Sequence, residues 1–327
     1  MSERRIAFAI QKPTGKTNMG DETLQILEAG GLKFKLPARV DDGPTNISGL
    51  DIWTMRNADI TQAVSIGVAA LGIVGLDKYT EFTNGTADRP KPLILSELGY
   101  SYCTLKLGVR QDVGYSSPED LKDRTIATSY PKGTERFFEE AGVSVRILKC
   151  EGGAETYVRR GVAEACVEVS ETGNSMKLNG INPVADVMKS QAILIANPRL
   201  DEDPGTQGPV WRAVRTVQTG LDAKFARMIK LNFPADRREG ILKALPSRKS
   251  PTLFQSGNSA WLAAESLVLS KDYDQIKQEL LLLGAEDIFQ LPIADPSPNL
   301  DDPRVNRMMK VMYGENWRLP TPPYSIL

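Results

Sequence analysis

Residues 150–176 contain the side chains best suited to chemistry, because a polar turn follows a short apolar strand there. The pattern predicts a helix that begins at Glu155, with Val158 and Val162 as its apolar positions, and then a strand at residues 165–169. Six polar or small residues follow before the next helix: Ser170, Glu171, Thr172, Gly173, Asn174 and Ser175. Hydroxyls and free backbone N–H groups at a helix N-terminus favour an anion such as phosphate. A helix capped by Thr172 or Asn174, with no ligand, explains the same turn.

Charged side chains also follow other predicted strands. Lys12 and Lys16 come after the apolar strand at residues 6–10, and Arg56 and Asp77 follow later strands in the same way. Proteins of the α/β class place ligands at such strand ends. For Lys12 and Lys16, however, the spacing alone favours solvated lysines. The loop at residues 11–16 is not a phosphate-binding P-loop, because its glycine spacing does not match that motif.

The chain of 327 residues contains no histidine. A Ser-His-Asp triad, a histidine base and histidine metal ligands are therefore excluded, and any metal must be held by oxygen atoms. The net charge of −1 argues against a nucleic-acid binder. Three cysteines without metal-type spacing fit a reducing compartment, so we expect a cytoplasmic protein. The longest largely apolar run, at residues 64–76, is too short to span a membrane.

Strands alternate with short helices over residues 1–196, and a return crossing is predicted near residues 185–200. This pattern predicts two α/β lobes with a ligand cleft between them. Residues 79–92 are polar and rich in Pro and Gly, which indicates a loop or a crossing to the second lobe. Asp59 is predicted to cap a helix at residues 60–66.

The pattern changes after a long predicted helix at residues 210–225. The order βαββαβ over the next segment is the ferredoxin-like plan. The predicted bounds are lobe I at 1–96 and 190–225, lobe II at 97–189, a ferredoxin-like domain at 226–293 and a tail at 294–327.

The order of several motifs resembles the long form of ATP phosphoribosyltransferase, the first enzyme of histidine biosynthesis. The matching motifs are AIQKPTGK, GVAALGIVGLD, RTIATSYP, SPTLF and the Glu155, Gly161, Glu168 and TGNSM signature. The likeness covers most of residues 5–293. It implies an α/β fold with a two-lobed, periplasmic-binding-protein-like catalytic region and a C-terminal ferredoxin-like α+β domain for regulation or assembly.

The resemblance also implies a reaction and its site residues. A ring nitrogen of ATP attacks C1 of phosphoribosyl pyrophosphate, pyrophosphate leaves, and Mg²⁺ is the cofactor. Glu168 would take the ribose hydroxyls with Glu155 nearby, and the loop of Glu171, Thr172, Gly173, Asn174 and Ser175 would cradle the 5′-phosphate. ATP or pyrophosphate would face Lys12, Lys16, Arg56 and Asp77, with Lys12 also catalytic; no residue is assigned as a metal ligand. The family forms dimers and hexamers, so we expect a homo-oligomer with a possible amino-acid effector at the C-terminal domain, and neither nucleic acid nor membrane as a partner.

Four positions depart from the family pattern. Glu168 replaces an Asp, Glu171 replaces a small hydroxyl residue, Ala70 replaces an Asp and Lys16 replaces an Arg. A longer carboxylate shifts a positioning group on the order of 1 Å, which can cost about 100-fold in rate. Three hypotheses therefore stay open: ATP phosphoribosyltransferase, a related transferase with another nucleophile or sugar phosphate, and a non-catalytic binding or regulatory protein.

Overall fold

The computed structural model describes residues 5–15, 18–37, 39–86, 88–170, 174–246, 250–293 and 301–319. Contacts divide the chain into two compact units. The first is Met1–Thr23, Phe34–Val210 and Asn306–Leu327, and the second is Leu24–Lys33 and Trp211–Val305.

The N-terminal part of the chain alternates strands and helices. Its elements are β1 (Ile6–Gln11), α1 (Met19–Ala29), β2 (Asp42–Pro44), β3 (Leu50–Met55), α2 (Asn57–Ser65), β4 (Leu71–Gly75), α3 (Leu76–Gly85) and β5 (Leu93–Glu97).

The middle of the chain continues the alternation. Its elements are β6 (Cys103–Arg110), β7 (Thr125–Thr128), α4 (Pro131–Glu140), β8 (Arg146–Lys149), α5 (Ala154–Arg159), β9 (Ala165–Ser170), α6 (Asn174–Leu178), β10 (Ile181–Ser190), β11 (Ala192–Ala196) and α7 (Gln207–Phe225). Among the described residues, no helix is long and apolar enough to cross a membrane.

The first lobe contains a sheet of strand order β2-β3-β1-β4-β11-β5. Its strands β3, β1 and β4 are parallel, whereas β11 is antiparallel to both of its neighbours. Every residue of β4 and β11 is buried. Continuous apolar runs such as LGIVG and AILIA suit strands that are covered on both faces.

The second lobe contains a sheet of order β10-β6-β9-β7-β8. Its strands β9, β7 and β8 are parallel, and β6 and β10 are antiparallel to their neighbours. The chain passes between the two sheets twice, first at residues 98–102 and then at Gln191. The return crossing agrees with the prediction, and the two-lobed, periplasmic-binding-protein-like fold is confirmed.

Three local predictions are wrong in whole or in part. Residues 79–92 are a loop only in part, because α3 extends to Gly85 and the described residues from 86 to 92 are irregular. The buried face of α3 contains the hydrogen-bonded polar residues Asp77 and Thr83, which gave no hydrophobic stripe. Asp59 does not cap α2, which begins at Asn57 after an extended Arg56. Val162 lies beyond α5 and is 56% exposed.

The C-terminal part of the second unit is an antiparallel sheet with helices. Its elements are β12 (Ala226–Pro234), α8 (Arg238–Ala244), β13 (Thr252–Gln255), β14 (Trp261–Leu269), α9 (Tyr273–Leu282) and β15 (Glu286–Pro292). The strand order is β13-β14-β12-β15 and each pair is antiparallel. Ile229, Leu231 and Phe233 alternate along β12 and are fully buried in one core with Leu280 of α9. This arrangement confirms the predicted ferredoxin-like fold.

A close backbone approach joins two segments within the second unit. A methyl group added to Gly220 of α7 would overlap the backbone carbonyl of Ile26. Only glycine permits α7 to pack this closely against residues 24–33.

An ion-pair cluster holds the start of α10 (Pro303–Tyr313) in the second unit. The Arg304 guanidinium donates to both carboxylate oxygens of Asp222 at 2.9 Å and to Asp302 at 2.6 and 3.1 Å. Burial alone would lower the pKa of Arg304, but the hydrogen bonds to the two carboxylates raise it overall. Asp222 and Asp302 are buried, so their charges depend on this arginine.

We expect Arg304→Met to destabilise the protein by about 3 kcal/mol, because two buried carboxylates lose their cation. Urea unfolding measures the change. Arg307→Met is the control, since Arg307 is exposed, and should change stability by less than about 0.5 kcal/mol. Equal stability of the two variants would contradict a stabilising role of the cluster.

Candidate active site between the two lobes

The junction of β4 and α3 places a buried carboxylate between the two lobes. Asp77 is 6% exposed, and its Oδ1 accepts a hydrogen bond from the Ser190 hydroxyl of β10 at 2.7 Å. The Asp77 N–H donates back to the Ser190 Oγ at 3.0 Å. A methyl group on Gly75 would overlap the Asp77 carboxylate, so this strand end requires glycine. Asp77 thus joins the first lobe to the second.

The second oxygen of Asp77 is bound by a tyrosine of the second lobe. The Tyr130 hydroxyl donates to Asp77 Oδ2 at 2.7 Å, and the Tyr130 N–H donates to Thr128 Oγ1 at 2.9 Å. Burial, followed by the negative charge of Asp77, raises the pKa of Tyr130. The hydroxyl therefore stays protonated and acts as a donor.

Helix α3 makes a second link to the other lobe through Glu81. The Glu81 carboxylate accepts the backbone N–H groups of Lys132 and Gly133, each at 2.9 Å. These groups belong to the first turn of α4, where the helix dipole favours a negative charge. The N-terminus of α4 is thus occupied by a side chain of the protein.

Glu168 of β9 carries the least satisfied carboxylate of this region. Its Oε1 accepts the Val169 N–H at 3.2 Å, whereas its buried Oε2 has no hydrogen bond of normal geometry to a described residue. Burial raises the pKa of Glu168 and outweighs the lowering by the hydrogen bond from the Val169 N–H; the charge of Glu155 raises the pKa further, and Lys78 lowers it slightly. The predicted pair Glu168 and Glu155 is therefore brought together, and the oxygen with no partner is suited to accept a hydroxyl.

Two of the predicted cationic residues, Lys12 and Arg56, follow neighbouring strands at one edge of the first lobe's sheet. Strands β1 and β3 are parallel and in register at their ends, and the Lys12 N–H donates to the Met55 carbonyl at 2.8 Å. Lys12 forms an ion pair with Asp41, whereas the exposed Arg56 has no hydrogen bond or ion pair with a described residue. Because β4 is parallel to β1, Asp77, which comes just after β4, lies at the same edge of the sheet.

The predicted phosphate loop follows β9, but only part of it is described. Glu171, Thr172 and Gly173 lie outside the described residues, as does Lys16. Helix α6 begins at Asn174 and continues through Ser175, and Met176 is fully buried. The roles assigned to these residues stay predictions.

Three residues of this site were not assigned from the sequence: Tyr130, Ser190 and Lys78. The Lys78 ammonium lies 3.6 Å from the centre of the Tyr130 ring. Tyr130 belongs to the RTIATSYP motif and Lys78 follows Asp77 directly, so both were adjacent to segments that the sequence had singled out. Ser190 gave no local signal.

Comparisons with protein families and with known proteins identify the family of this chain. The model for ATP phosphoribosyltransferase matches residues 56–217, and the model for the C-terminal domain of this family matches residues 223–295. ATP phosphoribosyltransferase of Parabacteroides distasonis is 31% identical over 279 residues, which cover 85% of this chain and 95% of the relative. The chain belongs to the ATP phosphoribosyltransferase family.

Other ATP phosphoribosyltransferases give the same result. The one from Natronomonas pharaonis is 31% identical over 84% of this chain and 94% of its own length. Among solved structures, the ATP phosphoribosyl transferase (HisG:HisZ) complex from Thermotoga maritima matches 66% of this chain and 98% of its own chain, with a TM-score of 0.55 and 18% identity. At that identity the structural likeness shows a shared fold.

We expect Tyr130→Phe to destabilise the protein by about 1–3 kcal/mol, because Asp77 loses a donor to a buried oxygen. Urea unfolding measures the loss. The control is Tyr102→Phe, since Tyr102 is exposed, with an expected change of less than about 0.5 kcal/mol. Wild-type stability of Tyr130→Phe would contradict the structural importance of this bond.

The raised pKa of Glu168 leads to a stability prediction. Burial disfavours the ionised form of Glu168 in the folded state, so its ionisation destabilises the protein above the folded-state pKa. This penalty disappears as the pH falls below the ordinary pKa of a glutamate. We expect Glu168→Gln to melt on the order of 2 °C above wild type at pH 8, with a difference that shrinks toward pH 4.

The exposed carboxylate of Glu151 is the control for this measurement. Thermal melting of Glu151→Gln should follow wild type at both pH values. A lower melting temperature for Glu168→Gln at pH 8 would be contrary to the burial argument.

Proposed function

We propose that this protein is a transferase that joins ATP to the phosphoribosyl group of phosphoribosyl pyrophosphate and releases pyrophosphate. This is the first step of histidine biosynthesis. Membership of the family over 85% of the chain is the observation that carries the proposal. The three cysteines form no disulfide in the described part of the chain, which fits the cytoplasmic location that we also propose.

The chemistry suits a protein without histidine. A ring nitrogen of ATP is already a nucleophile, so the protein must position two substrates and stabilise charge on the sugar and the leaving pyrophosphate. We assign Glu168 to the ribose hydroxyls, because its buried Oε2 has no hydrogen bond of normal geometry and its pKa is raised by burial. Glu155 supports the same sugar. The loop at residues 171–175 is assigned to the 5′-phosphate.

The cations of the first lobe are assigned to ATP or pyrophosphate. Arg56 is the strongest candidate, because its exposed guanidinium has no partner in the described part of the chain. To bind substrate, Lys12 must break its ion pair with Asp41 and contact a substrate oxygen instead. Asp77 was predicted to belong to this group, and its two bound oxygens favour a role in holding the lobes.

The donor set also fits Mg²⁺. No group of three or more acidic or cysteine side chains in the described residues forms a ready-made metal cage. Mg²⁺ is commonly held by one or two carboxylates together with substrate phosphates. Glu155 supplies one such carboxylate near the proposed sugar site, and a bound ion would neutralise charge on the pyrophosphate.

We further propose a homo-oligomer, a dimer or a hexamer, with an amino-acid effector bound at the C-terminal domain. The ferredoxin-like sheet supports assembly, because Phe254, Phe289 and Leu291 are exposed on it. Lys230 lies opposite Phe289 and pairs with Glu265. Exposed apolar patches rimmed by charge are typical of protein interfaces.

The decisive test is to incubate the protein with ATP, phosphoribosyl pyrophosphate and Mg²⁺ and detect phosphoribosyl-ATP by mass spectrometry. We expect product at enzyme-like turnover. Glu168→Gln should lower kcat/KM by about 100-fold or more, because a positioning carboxylate is lost. The exposed Glu151→Gln serves as the control with unchanged kinetics.

Folded wild-type protein that forms no phosphoribosyl-ATP would refute the proposed reaction. The same assay with other nucleophiles and sugar phosphates then tests the related-transferase hypothesis. No product from any of them would leave a binding role.

A further inference from the structure

Lys78 of the first lobe places a positive charge against Tyr130 of the second lobe. Its side chain is partly buried in the first turn of α3 and makes no hydrogen bond or ion pair with a described residue. Three other lysines in the two lobes are paired with carboxylates: Lys12 with Asp41, Lys106 with Asp186 and Lys132 with Glu135. A partly desolvated ammonium with three donors is favourable only when an acceptor satisfies it.

The position of this ammonium is fixed by its neighbours. Its Nζ lies 3.6 Å from the centre of the Tyr130 ring, within the range of a cation–π contact. The ring is held in turn by the hydrogen bond of its hydroxyl to Asp77, the residue before Lys78. A cation–π contact uses the charge but leaves the N–H donors available, so Lys78 is preorganised for an anionic oxygen.

Lys78 and Glu168 come from opposite lobes and lie near each other. Lys78 belongs to α3 of the first lobe and Glu168 to β9 of the second. Lys78 is near enough to lower the pKa of Glu168, yet the two do not form an ion pair. A cation and a carboxylate that lie near each other without forming an ion pair can both be satisfied by one ligand that binds between them.

The two charges define the chemistry of that ligand. Glu168 and Glu155 repel a simple anion, so the ligand must offer hydroxyl donors to a carboxylate and anionic oxygens to the ammonium. A sugar phosphate carries both groups. Phosphoribosyl pyrophosphate meets this requirement, with ribose hydroxyls on one side and pyrophosphate on the other.

We propose that Lys78 is a substrate-binding residue whose ammonium contacts a pyrophosphate oxygen of the phosphoribosyl donor while Glu168 accepts its ribose hydroxyls. The identity of the donor rests on the proposed function, whereas the pairing of an anionic group with hydroxyls rests on the geometry of Lys78, Tyr130 and Glu168.

The test is the affinity for phosphoribosyl pyrophosphate with Mg²⁺, measured by calorimetry on the full chain. Lys78→Met keeps the length of the side chain and removes its charge, so we expect the Kd to rise about tenfold or more. Lys78→Gln is measured alongside, with the same expectation. Lys78→Arg keeps the charge over the ring and should bind within about threefold of wild type.

Steady-state kinetics separate a donor contact from a general structural defect. In Lys78→Met the KM for phosphoribosyl pyrophosphate should rise about tenfold or more while the KM for ATP stays constant. Lys122→Met, at an exposed lysine of the second lobe, is the matched control with unchanged Kd and KM. Circular dichroism establishes that each variant is folded.

The outcomes distinguish this inference from the proposed function. Wild-type donor affinity in Lys78→Met and Lys78→Gln overturns the role of Lys78, even when phosphoribosyl-ATP is formed. Wild-type protein that does not bind the donor overturns it as well. Donor binding that is lost on removal of the charge, without formation of phosphoribosyl-ATP, supports Lys78 and refutes the proposed reaction.

Discussion

The buried carboxylate of Asp77 is the constraint on which the arrangement of the two lobes depends. Removing a carboxylate from water is costly unless hydrogen bonds compensate for its lost hydration. Here the hydroxyls of Ser190 and Tyr130 bind one oxygen each. Both donors come from the second lobe, whereas Asp77 belongs to the first. The lobes must therefore keep one relative position for the charge to remain satisfied.

This constraint also positions the residues around Asp77. Helix α3 begins at the same strand end as Asp77 and is linked again to α4 through Glu81. Lys78 is thereby set over the Tyr130 ring, and its charge acts on Glu168 of β9. Preorganised charge of this kind is what a reaction without a histidine base requires, because the nucleophile is supplied by the substrate.

Much of the fold could be predicted because its core strands are short apolar runs. The residues of β4 and β11, and the alternation of Ile229, Leu231 and Phe233 in β12, are unambiguous patterns. Helix α3 was missed because a buried face built from hydrogen-bonded polar side chains has no hydrophobic period. The partners of Asp77 could not be predicted, since Ser190 lies 113 residues away in the chain.

Only part of the site could be predicted from the sequence, because some of its residues are distant in the chain and meet only in the folded protein. Motif order identified Glu155 and Glu168, which the structure brings together. Lys78 was overlooked because a single lysine in a polar segment is usually solvated. Its importance depends on the Tyr130 ring, which is brought near only by the folded second lobe.

A crystal structure of the protein with phosphoribosyl pyrophosphate and Mg²⁺ bound would test the central claim most directly. The account predicts the donor between the lobes, with its ribose hydroxyls on the Glu168 carboxylate and a pyrophosphate oxygen on the Lys78 ammonium. A donor bound away from β9 and α3, with Glu168 and Lys78 both out of contact with it, would contradict the account.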